Sequence, residues 1–306
     1  MQEAGTCIQR IQKALTEMNV QLANVISDIS GMTGLRILHA ILAGEREPRQ
    51  LAKLRDPRIK ASEEEVINGL QGNWRTELIF VVEENLSLYE VYQQKIGRCD
   101  QQIEQHLKTI AGKVDVNAAP IPARRKGKRP HGNAPMFDLR SELYRVTGAD
   151  LTQIDGMDVT TAQTVLAETG LDMTAWRTEK HFVSWLGLCP DHRISGGKVL
   201  KRGTRKVVSR AATAFRMAAS TLRRSQSALG AKYRRLQSRL GPAKAITATA
   251  HHLARLFYRM IKFGSQYVDH GMAAYEERFR EQQFKWLTRK AAELNLYLSP
   301  VAAAQS

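Results

Sequence analysis

The chain has 306 residues, 43% of them hydrophobic and 25% charged, and a formal net charge of +16. That length and apolar content supply one large or two ordinary cores, which excludes a chain disordered throughout or a small scaffold that needs staples. Three widely separated cysteines, Cys7, Cys99 and Cys189, exclude a disulfide framework and a CxxC zinc site, and they fit a reducing compartment.

The N-terminal stretch MQEAGTCIQRIQKALTEMNV has an amphipathic helical pattern, not that of a signal peptide. No apolar run approaches the ~18 residues of a membrane span. The expectation is a cytoplasmic protein with no membrane partner. Its first helix carries a heptad through Ile8, Ile11, Leu15, Met18, Leu22, Val25 and Ile29. A second follows through Tyr89, Tyr92, Ile96, Cys99, Ile103, Leu107 and Ile110, with one irregular step near its end. Such 3.5-residue seams fit an oligomerisation stalk, or an antiparallel pair within one chain. The first is slightly preferred, so a homo-oligomer is expected.

Between the seams, Ile29-Ser30-Gly31-Met32 aligns with Ile154-Asp155-Gly156-Met157. Each is followed by an apolar helical stretch, a weak internal repeat of helix–hairpin–helix character. In such a unit the first N–H groups of the second helix face a phosphate, which makes Gly156 a candidate DNA-binding residue. The alternative is a structural hairpin whose glycine serves only the turn. Residues 117–135, NAAPIPARRKGKRPHGNAP, cannot build a core and read as a basic linker. The domain expectation is therefore 1–116 helical, 117–135 linker and 136–306 a C-terminal domain. The run ELIFVVEEN is the best strand signal, but its setting favours helix, and the fold class expected is mainly α.

Charge is concentrated in the C-terminal part. From His192 through Val268 there are eighteen Lys and Arg and no Asp or Glu, so the rest of the chain is close to neutral. A tract of one sign attracts phosphate backbones, whereas a surface chosen for solubility mixes signs. Nucleic acid is the expected partner. Within the tract, Ser195-Gly196-Gly197 is followed by Lys198, Lys201, Arg202, Arg205, Lys206 and Arg210. The sequence SGGKVLK is not a P-loop, because Val199 stands where G-x-x-x-x-G-K-S/T needs a hydroxyl. No G-x-S-x-G elbow or Ser-His-Asp order is present. What remains is a hydroxyl beside unhindered backbone and clustered cations, suited to binding a phosphate or to attacking a phosphodiester.

Elsewhere, His251-His252 lies on a predicted helix without a companion carboxylate or cysteine, so no metal role is assigned. The aromatics Trp185, Phe215, Tyr233, Phe257, Tyr258, Phe263 and Tyr267 read mostly as core, with base stacking the alternative. Arg223-Arg224 and Arg234-Arg235 read as a polyanion-facing side.

The segment DLTQIDGMDVTTAQTVLAETG, followed by HFVSWLGLCPDHRISGGKVLKRGTRKVVSRAATAFRMAA, resembles the C-terminal domain of bridge-RNA-guided insertion-sequence transposases, the IS-one-ten and IS-eleven-eleven group. The heptad helices and AILAGEREPRQLAKLRDPRIK resemble the middle of the longer members. The resemblance implies a serine that attacks DNA, carried onto Ser195 by the SG step, and a guide RNA as a further partner. The positions Lys198, Lys201, Arg202, Arg205, Lys206 and Arg210 are DNA-binding candidates by location. It also implies an N-terminal RuvC-like domain with an Asp-Glu-Asp-Asp site, whose acids no strand pattern in residues 1–150 presents. The expectation is thus a truncated or frame-disrupted transposase. It would carry no cofactor in this chain, Mg²⁺ would come only with the RuvC-like domain, and full-length transposase subunits would be partners. The rival expectation is a non-catalytic nucleic-acid-binding protein.

Overall fold

The structure is a computed structural model that describes residues 1–121, 123, 135–191, 193–201, 203–264 and 271–299. It is mainly α-helical. Two compact units divide within one long helix, at Ile103/Glu104.

The first unit holds helices α1 (Gln2–Glu17), α2 (Leu22–Val25), α3 (Met32–Leu42), α4 (Pro48–Ala52), α5 (Glu63–Gly69) and most of α6 (Thr76–Thr109). Local chemistry sets the boundaries. Pro48 opens α4, where a missing N–H costs nothing. Ser62 and Glu65 form a reciprocal capping box on α5, with Ser62 N–H donating to Glu65 Oε2 at 2.6 Å and Glu65 N–H to Ser62 Oγ at 3.2 Å.

The first heptad does not run along one helix. It breaks after Met18, where Asn19 takes a φ of 59°, a left-handed conformation that asparagine tolerates well. Asn73 N–H donates to the freed Met18 carbonyl at 2.7 Å. Ile11, Leu15, Met18, Leu22 and Ile29 are buried with Ile37, Ile41, Leu51, Val66 and Val82 in one core. The buried side chains of this seam are thus used inside the unit's own core. The second seam differs: Tyr89, Tyr92, Ile96 and Ile103 stay partly exposed along α6 and Cys99 is exposed.

The second unit begins before the expected 117–135 boundary. Arg145 donates to the carbonyls of Leu107 at 2.6 Å and Ile110 at 2.9 Å, and Lys113 N–H donates to Arg145 O at 2.8 Å. These bonds tie the end of α6 to α7 (Leu139–Thr147). Most of the linker itself lies outside the described residues. After α7 come a 3₁₀ turn (Leu151–Gln153), α8 (Val159–Thr169), α9 (Glu179–Trp185), strands β1 (Arg193–Ser195) and β2 (Lys198–Lys201), α10 (Arg210–Thr221), α11 (Ala228–Leu240), α12 (Pro242–Phe263) and α13 (Gly271–Glu293).

Helices α9, α10 and α11 pack on α12, and α8 packs on α10, over a core of Ile154, Val165, Phe182, Phe215, Leu253, Phe257 and Tyr258. Aromatic edges and faces interlock there, with Phe215–Phe257 centroids 5.7 Å apart and Trp176–Phe182 5.0 Å apart. Phe215, Tyr233, Phe257 and Tyr258 are thus core residues, whereas Trp185 and Phe263 are exposed; Tyr267 lies outside the described residues. Arg140 and Asp150, both buried, pin α7 to the following turn. Burial pushes the Asp150 carboxyl up, but hydrogen bonds from Arg140, Thr152 and Gln153 outweigh it and hold it below its ordinary value.

Candidate nucleic-acid interface

The serine loop is a β-hairpin. Its strands are antiparallel, with Ser195 paired to Lys198, Ile194 to Val199 and Arg193 to Lys201; Leu200 is the extra residue of a bulge. The turn is Gly196-Gly197, with φ of 55° and 75°. Two consecutive positive φ values define the tight primed turn that glycine favours and that matches strand twist. Two further contacts close the base: an isolated bridge between Pro190 and Thr204, and Asp191 N–H donating to Gly203 O at 2.6 Å. The sequence reading missed the hairpin, yet the signal was present, in two glycines between the extended stretches RIS and KVLK.

This ribbon stands in solvent. Ser195, Gly196, Gly197 and Lys198 are exposed, and so are the apolar side chains of Ile194 (63%) and Leu200 (69%). Residues opposite each other in a ladder share a face, so the Ser195 and Lys198 side chains leave the ribbon on the same side. Among the described residues none accepts a hydrogen bond from Ser195 Oγ. Lys201 sits at the far end of β2; Arg202 and His192 lie outside the described residues.

The chain returns from the hairpin through Arg205, Lys206 and Val208, all exposed. Arg205 donates to the Ser184 carbonyl near the end of α9, which anchors the return segment and favours a cation at the helix C-terminus. Gly187 (φ 65°) lets the two segments approach, because a Cβ there would meet Val207 Cγ2 at 2.8 Å. Arg210 is the first residue of α10, after the N-cap Ser209. It borders a shallow groove of about 480 Å³ between α8 and α10, lined also by Thr160, Thr164, Val208 and Thr213.

Gly156 stands apart. Its φ is 86°, and a Cβ would lie 2.6 Å from the Ala218 carbonyl of α10. The glycine allows the turn to pack on α10. The N-terminus of α8 is already capped by Asp158, which accepts from Thr161 N–H at 2.7 Å; that carboxylate repels a phosphate. Gly31 has an ordinary φ of −74°, so the two aligned glycines are not equivalent. The structural-hairpin alternative fits Gly156. The arginine pairs also have local duties: Arg234 donates to Ser225 O at 2.6 Å, and Arg235 stacks 3.3 Å over the Phe279 ring.

Among the described residues no three His, Cys, Asp or Glu side chains converge into a metal-binding set. Those residues do not fit a RuvC-type ion. No helix is long and apolar enough to cross a membrane.

No curated protein and no solved structure gave a match to the chain. Residues 148–234 match the model of the transposase IS116/IS110/IS902 family, a segment that runs from the α7–α8 turn through the hairpin and α10 into α11. The match supports a transposase domain of that family in the second unit, and with it a role in DNA transposition or recombination.

Proposed function

We propose that the second unit grips a nucleic-acid backbone with its hairpin and that Ser195 is the nucleophile of a DNA strand-exchange reaction. The observation that carries the reading is an exposed hydroxyl beside Lys198 at a glycine turn, inside a tract of eighteen cations without a carboxylate. A two-stranded ribbon fits the major groove of B-DNA. Lys198, Lys201, Arg202, Arg205, Lys206 and Arg210 supply phosphate contacts, and their number sets the salt dependence.

Chemically, the Ser195 Oγ–phosphorus bond forms as the phosphorus–sugar oxygen bond breaks. The serine proton leaves to solvent and the departing sugar oxygen takes one up. The phosphodiester is conserved as a serine ester, and a free DNA hydroxyl reverses the step. Guanidinium and ammonium groups stabilise the charge on the non-bridging oxygens. A guide RNA and a RuvC-like acidic domain with Mg²⁺ are further parts of this reading, supported by the resemblance alone.

The test joins the chain to a matching acidic domain and supplies Mg²⁺ and guide RNA. Ser195→Ala should abolish the SDS-stable DNA adduct and strand exchange while leaving DNA affinity unchanged. Undiminished exchange by that variant would exclude the nucleophile. A second reading, a non-catalytic binder that pairs with intact transposase, is favoured by the lack of a base on Ser195 Oγ among the described residues. It predicts binding without any adduct.

A further inference from the structure

His251, Arg255 and Arg259 follow one another at four-residue steps on α12, so they line a single stripe, with His252 beside Arg255 one turn back. Like charges at this spacing repel by a few tenths of a kcal/mol per pair unless an anion intervenes. The tract to which α12 belongs contains no carboxylate, so the anion must come from another element. One does. Glu179 of α9 accepts from Arg255 Nε at 2.9 Å and from Arg259 Nη2 at 3.0 Å. Lys262 is satisfied separately, by the Trp176 carbonyl at 3.2 Å and the Tyr258 hydroxyl at 2.6 Å.

Two guanidiniums, Arg255 and Arg259, share that one carboxylate, and α11, the helix packed on α12, adds Lys232, which feels the Arg255 charge. Lys232, His251 and His252 are only partly exposed. Burial pushes the Lys232 ammonium below its ordinary value, and the Arg255 charge pushes it further. His251 is pushed down by burial, then by Arg255 and Lys232, against an opposing pull from Glu179. Cationic side chains and imidazoles whose charged form burial disfavours, on two packed helices with one carboxylate between two guanidiniums, make a set of donors suited to an oxyanion. Burial pushes the Cys189 thiol up, against the charges of Arg205, beyond the hairpin's base, and of Arg255.

We propose that Lys232, His251, His252 and Arg255 form a second phosphate site, distinct from the hairpin, that holds one phosphodiester of a nucleic-acid strand. Arg255 donates the guanidinium edge that Glu179 leaves free, Lys232 supplies a point charge, and the neutral histidines donate ring N–H groups. The site rests on the reading of this unit as a nucleic-acid binder and extends it to a second point along the strand.

The experiment uses the full chain, a twelve-nucleotide oligothymidylate and, separately, inorganic phosphate. Affinity is measured against salt for wild type, Lys232→Gln, His251→Gln and Lys198→Gln, with melting temperature checked for each. Histidine ring NMR follows His251 and His252, assigned with His→Gln variants. Lys232→Gln should weaken oligonucleotide binding about tenfold and reduce the salt slope by about one. His251→Gln should weaken it less, and the oligonucleotide should raise the titration midpoints of both rings. If Lys232→Gln and His251→Gln bind like wild type while Lys198→Gln is impaired, this site is wrong and the hairpin reading survives. Ring shifts with inorganic phosphate but none with the oligonucleotide would also overturn it. If wild type binds no oligonucleotide, both readings fail.

Discussion

Gly156→Ala separates a packing role from a binding role. The substitution places a Cβ 2.6 Å from the Ala218 carbonyl, well inside van der Waals contact, and the obstacle is helical backbone that cannot swing away. It also forces an L side chain to hold a φ of 86°. The backbone conformation costs about 1–2 kcal/mol, and relieving the clash by shifting the turn off α10 costs about 1–3 kcal/mol more. Leu222, whose Cγ would be 3.2 Å from the new atom, must move as well. A loss of about 2–5 kcal/mol in a unit of this size lowers the melting temperature by roughly 4–20 °C. Thermal unfolding followed by circular dichroism measures it, and DNA affinity well below the transition is measured in parallel. The expected result is a large drop in melting temperature with near-normal binding of the folded protein. A variant that melts like wild type yet fails to bind DNA would refute it and return Gly156 to the phosphate contacts.

Other outcomes follow from the same structure. Asp150→Ala removes the partner of a guanidinium that is only 8% exposed, and breaking such a buried pair should cost about 3–5 kcal/mol in denaturant unfolding. Gly196→Ala and Gly197→Ala meet no atom within 4 Å, so strain at positive φ is their only penalty. Both should leave the melting temperature unchanged while amide exchange across the Ser195–Lys198 pair speeds up. Acid should destabilise the second unit through His252, whose pKa is lowered to about 3 by burial and by the charges of Lys232 and Arg255. The sign follows from linkage: below about pH 6.5 the unfolded chain takes up a proton that the folded ring refuses, so stability falls as pH drops from there toward 3. At pH 5 the loss is about 2 kcal/mol. His252→Gln should flatten that part of the stability–pH curve, and an unchanged curve would count against the burial argument.

Residue order alone determined the helix boundaries best. Gly187, Gly241 and Pro242 stop or start helices because their backbone preferences act within a few residues, and α9, α11 and α12 end or begin at those places. The mainly helical class and the one-sign tract were legible for the same reason, since periodicity and charge counts need no knowledge of the fold. The first heptad shows the limit. Its spacing continues through Leu22 although the helix breaks at Asn19, because the spacing records only residue types and not the Asn73 bond that accommodates the break. The tertiary structure decided what each cation and glycine does. Arg234 and Arg235 lie in the same helix as Lys232, yet one binds the carbonyls of Arg223 and Ser225 and another covers Phe279, whereas Lys232 is partly buried within reach of the Arg255 charge. Gly156 and Gly31 look alike in sequence and differ because α10 lies against only one of them. Backbone preference is local and survives in the sequence; partners distant along the chain meet only when the core forms, and they set the use of each charge.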